Sequence, residues 1–277
     1  MNIMDALIGD FADFHKECSA RTALHLVNGK FGKVSVWKHG PTQKSFFYKR
    51  IENKHFNAIE PFVHHLMKFN KYFLRLFYSL HSLREHLLVM DYIPDGDLFD
   101  LMQTEPRLRE PEISLIAYQL IDALQALHKH NVVHNDVKLE NVLYRRFEQI
   151  YVCDYGLCKI AGSPSTFEGT VDYFSPEKIN KHAAAVHFDW WAVGVLLYEI
   201  STGKHPFKLD QDESLDVETL HKRQIQLDVT FPADFDNPFL EEFICFLLGY
   251  CYDYRAHSYE AIQKNTYWKS IVHWKQR

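Results

Sequence analysis

The spacing of apolar residues changes its period once along the chain, at Pro94-Asp-Gly96, and that change limits the folds open to it. Before it, short runs rich in aromatic and β-branched residues read as strands: Phe31 to Trp37, Ser45 to Lys49 and His86 to Met90. A turn at His39-Gly-Pro41 separates the first two, and one helical stretch, about residues 58–69, interrupts the series. Ahead of them, Ile3, Leu7, Phe11 and Phe14 form the stripe of an amphipathic helix. After the change, Ile113, Ile116, Leu120, Leu124 and Leu127 share one face behind Pro111, which suits a first helical turn. A strand from Gln149 to Cys153 follows a polar loop, and further helices run from Asp189 and from about Leu240. The expected class is α+β: a helical extension over 1–22, a small β-rich part over 23–91 and a large helical part over 92–277.

Bulk properties remove several functions. With 31 Lys+Arg against 36 Asp+Glu, the net charge of −5 argues against a nucleic-acid-binding surface and leaves room for basic protein partners. The five cysteines are odd in number and lack a CxxC spacing, so neither a disulfide framework nor a zinc site is expected and a reducing compartment is. No HExxH or similar ligand spacing accompanies the 17 histidines. The longest apolar run, Trp190 to Tyr198, is too short to span a bilayer, and Met1 to Phe11 lack the basic start of a secretory signal. A soluble intracellular protein is expected.

One polar loop concentrates chemistry: His134-Asn-Asp136-Val-Lys138-Leu-Glu-Asn141, placed between a helix and the strand-like Val142-Leu-Tyr144. Phosphoryl transfer needs a carboxylate to orient an attacking hydroxyl, a cation near the transferring phosphate and an oxygen ligand for Mg²⁺. Asp136, Lys138 and Asn141 supply these within one segment. Thirteen residues after Asn141, Asp154-Tyr-Gly156 caps a strand, where a carboxylate can approach a metal–phosphate pair. Alone, that triplet reads as a turn.

The order and spacing of these segments resemble the eukaryotic protein kinase superfamily over about residues 24–270. The resemblance implies a bilobal fold, ATP and Mg²⁺ (or Mn²⁺) as cofactors, and roles for particular residues. Asp136 matches the catalytic base, with Lys138 beside it, and Asn141 and Asp154 match the metal ligands. Lys49 matches the lysine that holds the α- and β-phosphates, and Glu60 is its best glutamate partner, with Glu52 second. Glu60 follows by only eleven residues and precedes Pro61, so its helix should be short or begin there. Leu26, Val27, Asn28, Gly29, Lys30, Phe31, Gly32, Lys33 and Val34 match the loop over the phosphates. Met90, Asp91 and Tyr92 match the hinge that reads adenine, and Leu143 is a further nucleotide-binding position. Ser175-Pro-Glu177 resembles Ala-Pro-Glu, with Arg255 placed to pair with Glu177, and Asp189 to Gly194 the family's buried helix. Lys138 and Thr170 resemble the Ser/Thr branch. Overall texture and a short β-rich part are similar to the late-expressed kinases of insect baculoviruses. That similarity implies a basic, protamine-like virion protein as substrate and a setting in the cytoplasm or nucleus of an infected cell.

Several positions depart from the pattern. Val27 replaces a glycine, Phe47 a small alanine, Asn135 the arginine of His-Arg-Asp, and Tyr155 a phenylalanine. An active Ser/Thr kinase is the first reading, and a nucleotide-binding pseudokinase scaffold the alternative. Asp97, Glu140 and Glu199 match positions that bind arginines in basophilic kinases, so a basic protein substrate is expected. Thr166 lies where an activating phosphate would be attached. The apolar stripe of the first helix is expected to support the helix of Glu60, within the chain or from a second copy in a homodimer.

Overall fold

The computed structural model describes residues 3–20, 32–209 and 214–275. The chain divides into two compact units, one ending at Pro94 and the next starting at Asp95.

In the first unit, α1 (Ile3–Lys16), β1 (Cys18–Ala20), β2 (Gly32–His39), β3 (Ser45–Glu52), α2 (Ile59–Leu66), β4 (Leu76–His81) and β5 (Glu85–Asp91) follow in order. The strands form one antiparallel sheet, β1-β2-β3-β5-β4. Alternation along β3 buries Phe46 and Tyr48 on one face with Leu87 and Val89, and Phe11 and Phe14 of α1 pack there. Phe14 meets Phe46 edge-on, with ring centroids 5.0 Å apart. The same alternation turns Phe47 and Lys49 to the opposite face, where Lys49 reaches Glu60 of α2. The sheet therefore lies between Phe11 and Phe14 of α1 and the pair made by α2. Those two side chains support the sheet, not the helix of Glu60 as the sequence suggested. The side chains of Ile3 and Leu7 lie outside the described residues.

The second unit holds α3 (Leu98–Thr104), α4 (Glu110–His128), β6 (Val132–Val133), β7 (Val142–Arg145), β8 (Gln149–Val152), β9 (Lys159–Ile160), α5 (Pro176–Ile179), α6 (His187–Thr202), α7 (Val217–Gln226), α8 (Pro238–Leu248), α9 (Tyr259–Lys264) and α10 (Thr266–Lys275). The centre is α6. It is apolar on every side, and Trp190, Trp191, Leu196 and Leu197 are fully buried. A Cβ on Gly194 would stand 2.8 Å from Leu247 Cβ, so only glycine lets α6 and α8 approach this closely. Pro111 occupies the first turn of α4, where its missing N–H costs nothing. The α+β layout expected from the change of period is present. Among the described residues, no helix is long and apolar enough to cross a membrane.

Candidate active site

In the first unit, Lys49 Nζ donates to Glu60 Oε1 at 2.6 Å. Glu60 is 2% exposed, so losing Lys49 would strand a carboxylate away from water. Pro61 is the third residue of the two-turn α2, within the turn whose N–H groups have no helical partner. Glu52, the second candidate, pairs instead with Lys54 at 2.7 Å. Val34 lies directly across from Lys49 on β2, with Lys33 and Gly32 beside it. Met90 is buried near the end of β5; Asp91 closes the strand, its backbone N–H donating to Arg75 O, and Tyr92 follows half-buried. Leu26, Val27, Asn28, Gly29, Lys30 and Phe31 lie outside the described residues.

In the second unit, the polar loop hangs on Asp189 of α6. The backbone N–H groups of His134 and Asn135 donate to its two carboxylate oxygens at 2.8 Å each, and His128 Nε2 lies 2.7 Å from Oδ2. Burial alone would push this carboxyl up. The bond from His128, the nearby histidines and the backbone N–H of Asn135 outweigh it and hold the group below the usual carboxylate range. With its backbone so held, Asn135 takes a left-handed φ of 68° and Asp136 follows it out of the turn.

Asp136 Oδ1 accepts from the backbone N–H of Thr170 at 2.9 Å and from its hydroxyl at 3.0 Å. Lys138 Nζ donates to that hydroxyl at 2.9 Å and stands 3.7 Å from Asp136 Oδ2. The amide nitrogen of Asn141 donates to Asp136 O and Oδ2, which turns its oxygen away from Asp136. Asp154 follows β8 with a left-handed φ of 59°, and Leu143 sits half-buried on β7. Tyr155 is fully buried and finds a partner for its hydroxyl in Val152 O at 2.6 Å. The loop thus brings together a carboxylate, a cation and an amide oxygen, the set that phosphoryl transfer needs.

A model of the protein kinase domain matches residues 22–267. The chain belongs to the protein kinase family. It is 99% identical over 274 residues to the serine/threonine-protein kinase 1 of Lymantria dispar multicapsid nuclear polyhedrosis virus, covering 99% of this chain and all of that one. It is 40% identical to the serine/threonine-protein kinase 1 of Orgyia pseudotsugata multicapsid polyhedrosis virus, over 95% of this chain and 97% of the relative. Its fold is similar to the solved Cydia pomonella granulovirus kinase PK-1, with a TM-score of 0.84, 36% identity, and coverage of 95% of this chain and 99% of that one. The kinase is of the Ser/Thr type, and the resemblance to baculovirus kinases holds. Family membership implies ATP and a divalent metal ion. The hard oxygens of Asn141 and Asp154 fit such an ion, since two protein ligands leave the remaining positions to phosphate and water.

The three acidic residues expected to meet substrate all lie in the second unit. Asp97 caps α3, accepting from the N–H of Asp100 at 2.8 Å. Burial pushes its carboxyl up to about 6, with the charges of Asp100 and Glu140 adding to the rise. Glu199 accepts a short hydrogen bond from the Tyr173 hydroxyl. Burial raises it to about 8 against the pull of that bond, and Glu140 again adds to the rise. The exposed Glu140 is therefore close enough to act on both neighbours.

Sequence reasoning missed how the kinase holds its activation segment. Lys159 of β9 pairs with Glu168 at 2.6 Å, and the Thr166 hydroxyl bonds the same carboxylate. Arg255 and Glu177 form a buried pair at 2.5 Å, as the family resemblance implied. A phosphate on Thr166 would face Glu168, and Lys159 is already engaged. Thr166→Ala is therefore expected to keep at least about half of wild-type turnover, since an exposed hydroxyl carries little. A steady-state assay of unphosphorylated protein checks this, and a loss beyond about tenfold would show that a phosphate there is needed.

Proposed function

We propose that the chain is an active kinase, transferring the γ-phosphoryl group of ATP to Ser or Thr in proteins with basic residues N-terminal to the acceptor. The observation that carries this reading is the intact arrangement of Asp136, Lys138 and Asn141 on a preformed loop, with Thr170 bonded to Asp136 and Lys138. In it, Asp136 orients the acceptor hydroxyl and takes up its proton, and Lys138 offsets charge that builds on the transferring phosphate. Lys49, steadied by Glu60, holds the α- and β-phosphates. Asn141 and Asp154 would hold the metal ion, taken to be Mg²⁺, which would supply positive charge against the phosphates when bound. A scaffold without activity would have no use for this set.

Asp97, Glu140 and Glu199 support the substrate preference. The charge of Glu140 raises both Asp97 and Glu199, and guanidinium groups would relieve that repulsion through charge-assisted bonds. We take the working location to be the cytoplasm or nucleus of an infected host cell, on the strength of the viral relatives. Transfer of labelled phosphate from ATP, with Mg²⁺ or Mn²⁺, to a positional peptide library tests the whole reading. Arginine is expected to be selected before the acceptor, and Asp136→Asn and Asp154→Asn to lose about 100-fold or more in turnover. Because arginine needs the ionised carboxylates, its advantage over alanine in KM should grow as pH rises from 6 through 8. Near-native turnover by Asp136→Asn would end the catalytic assignment, and acidic or proline-directed selection would end the substrate one.

We also propose that a second copy packs on α2. Phe62 is 49% exposed on this short helix and Phe69 is 92% exposed just beyond it, and two turns gain little stability alone. Phe62→Asp is expected to give a folded, poorly active monomer. Sedimentation of a wild-type monomer with full specific activity would contradict it.

A further inference from the structure

Lys178 is a buried cation that the reaction as described does not use. It lies on α5, directly after Glu177, with 3% of its surface exposed. Its ammonium donates to Asn135 O at 2.8 Å and to Asn135 Oδ1 at 2.7 Å, and it stands 4.4 Å from the centre of the Phe174 ring. Burial lowers its pKa to about 8, although the charges of Asp136, Asp189 and Glu168 favour the cation; Lys159 opposes them. A site that needed only filling would be served at least as well by methionine or leucine. The ammonium must therefore do something that an apolar side chain cannot.

What it holds is the residue before the catalytic carboxylate. Asn135 has a left-handed backbone, a conformation that a non-glycine residue keeps only when its surroundings hold it there. Its N–H is bound by Asp189 and its side-chain amide donates to Leu157 O at 3.0 Å. Its two oxygens are the atoms that Lys178 binds. Across from it, a Cβ on Gly169 would lie 3.1 Å from Asn135 O, 3.1 Å from Asp136 Oδ1 and 3.2 Å from Lys178 Nζ. Catalytic loop, activation segment and α5 thus converge on one point beside Asp136, and Lys178 is the charged group that joins them.

We propose that Lys178 is a positioning residue for phosphoryl transfer, a cation built into the fold that ties the activation segment to the catalytic loop and keeps Asp136 aimed. It stands in for the tie that an arginine at position 135 would make to a phosphate. This rests on Asp136 being the catalytic carboxylate.

The test compares wild type with Lys178→Met, Lys178→Gln and Lys178→Arg, using Mg²⁺–ATP and an arginine-containing peptide. Two readouts are taken: kcat against KM, and amide hydrogen exchange over residues 134–137 and 169–171. The Met and Gln variants are expected to lose about 100-fold in kcat with KM for ATP changed by less than about threefold, since Asp136 is misaimed while nucleotide contacts remain. Exchange should quicken in the two segments and stay at wild-type rates elsewhere. Lys178→Arg, which keeps the charge and donors, should retain kcat within about tenfold of wild type. If Lys178→Met does not fold, Lys178→Gln decides by the same measures. Retention of kcat by Met or Gln overturns the proposal, as does faster exchange throughout the second unit with KM and kcat worsening together. A wild type without turnover overturns the catalytic reading instead, and the exchange of Asn135 and Thr170 still shows whether Lys178 makes the tie.

Discussion

A single buried carboxylate carries the catalytic half of the molecule. Asp189 is 1% exposed, and an ionised group so placed is tolerable only because His128 and two backbone N–H groups surround it. The bond from His128 ties α4 to α6, and the two backbone bonds set the turn at His134 and Asn135. The left-handed backbone of Asn135 and the direction of Asp136 follow from that turn. Packing supports the same point, since α6 is enclosed on all sides and Gly194 allows α8 to close over it.

Around this anchor the protein uses internal charge where a phosphate would serve in a regulated relative. Lys159 with Glu168 fixes one part of the activation segment, Lys178 with Asn135 another, and Arg255 with Glu177 the end that leads into α6. The last two contacts join elements distant in sequence, and the buried Arg255–Glu177 pair would be costly to break, by about 3–5 kcal/mol for a lost partner. In the other unit, Lys49 and Glu60 form the comparable pair, mounted on a helix of two turns.

The groups proposed to do chemistry were legible because they occur together, at fixed spacing, in short segments. Asp136, Lys138 and Asn141 share one loop, and Asp154 caps the next strand. The helices α1 and α4 were legible from period alone. Four strands were not: β1, β6 and β9 are only two or three residues each, and β4 lacks a clean alternation of burial. All are made by pairing with a neighbour, so their own residues carry little signal. The apolar stripe of α1 announced burial but not which face it would cover. Lys178 was illegible for a related reason. A lysine after Ser-Pro-Glu looks like a surface residue, and only the missing arginine at Asn135 hinted that another cation would be needed. Asp97 shows the converse, since a carboxylate read for substrate also caps a helix, and one side chain can do both.

The dependence of catalysis on Asp189 can be measured directly. Asp189→Asn preserves shape but replaces one acceptor oxygen with a donor, so at least one of the three bonds is lost at a cost of about 1–3 kcal/mol. The decisive quantity is kcat for phosphoryl transfer to a basic peptide by this variant, taken with its KM for ATP and its melting temperature. A folded protein with kcat lower by about 100-fold and KM for ATP within about threefold of wild type is expected, because the misplaced group is Asp136. A folded variant with wild-type kcat would contradict the dependence of the loop on this carboxylate.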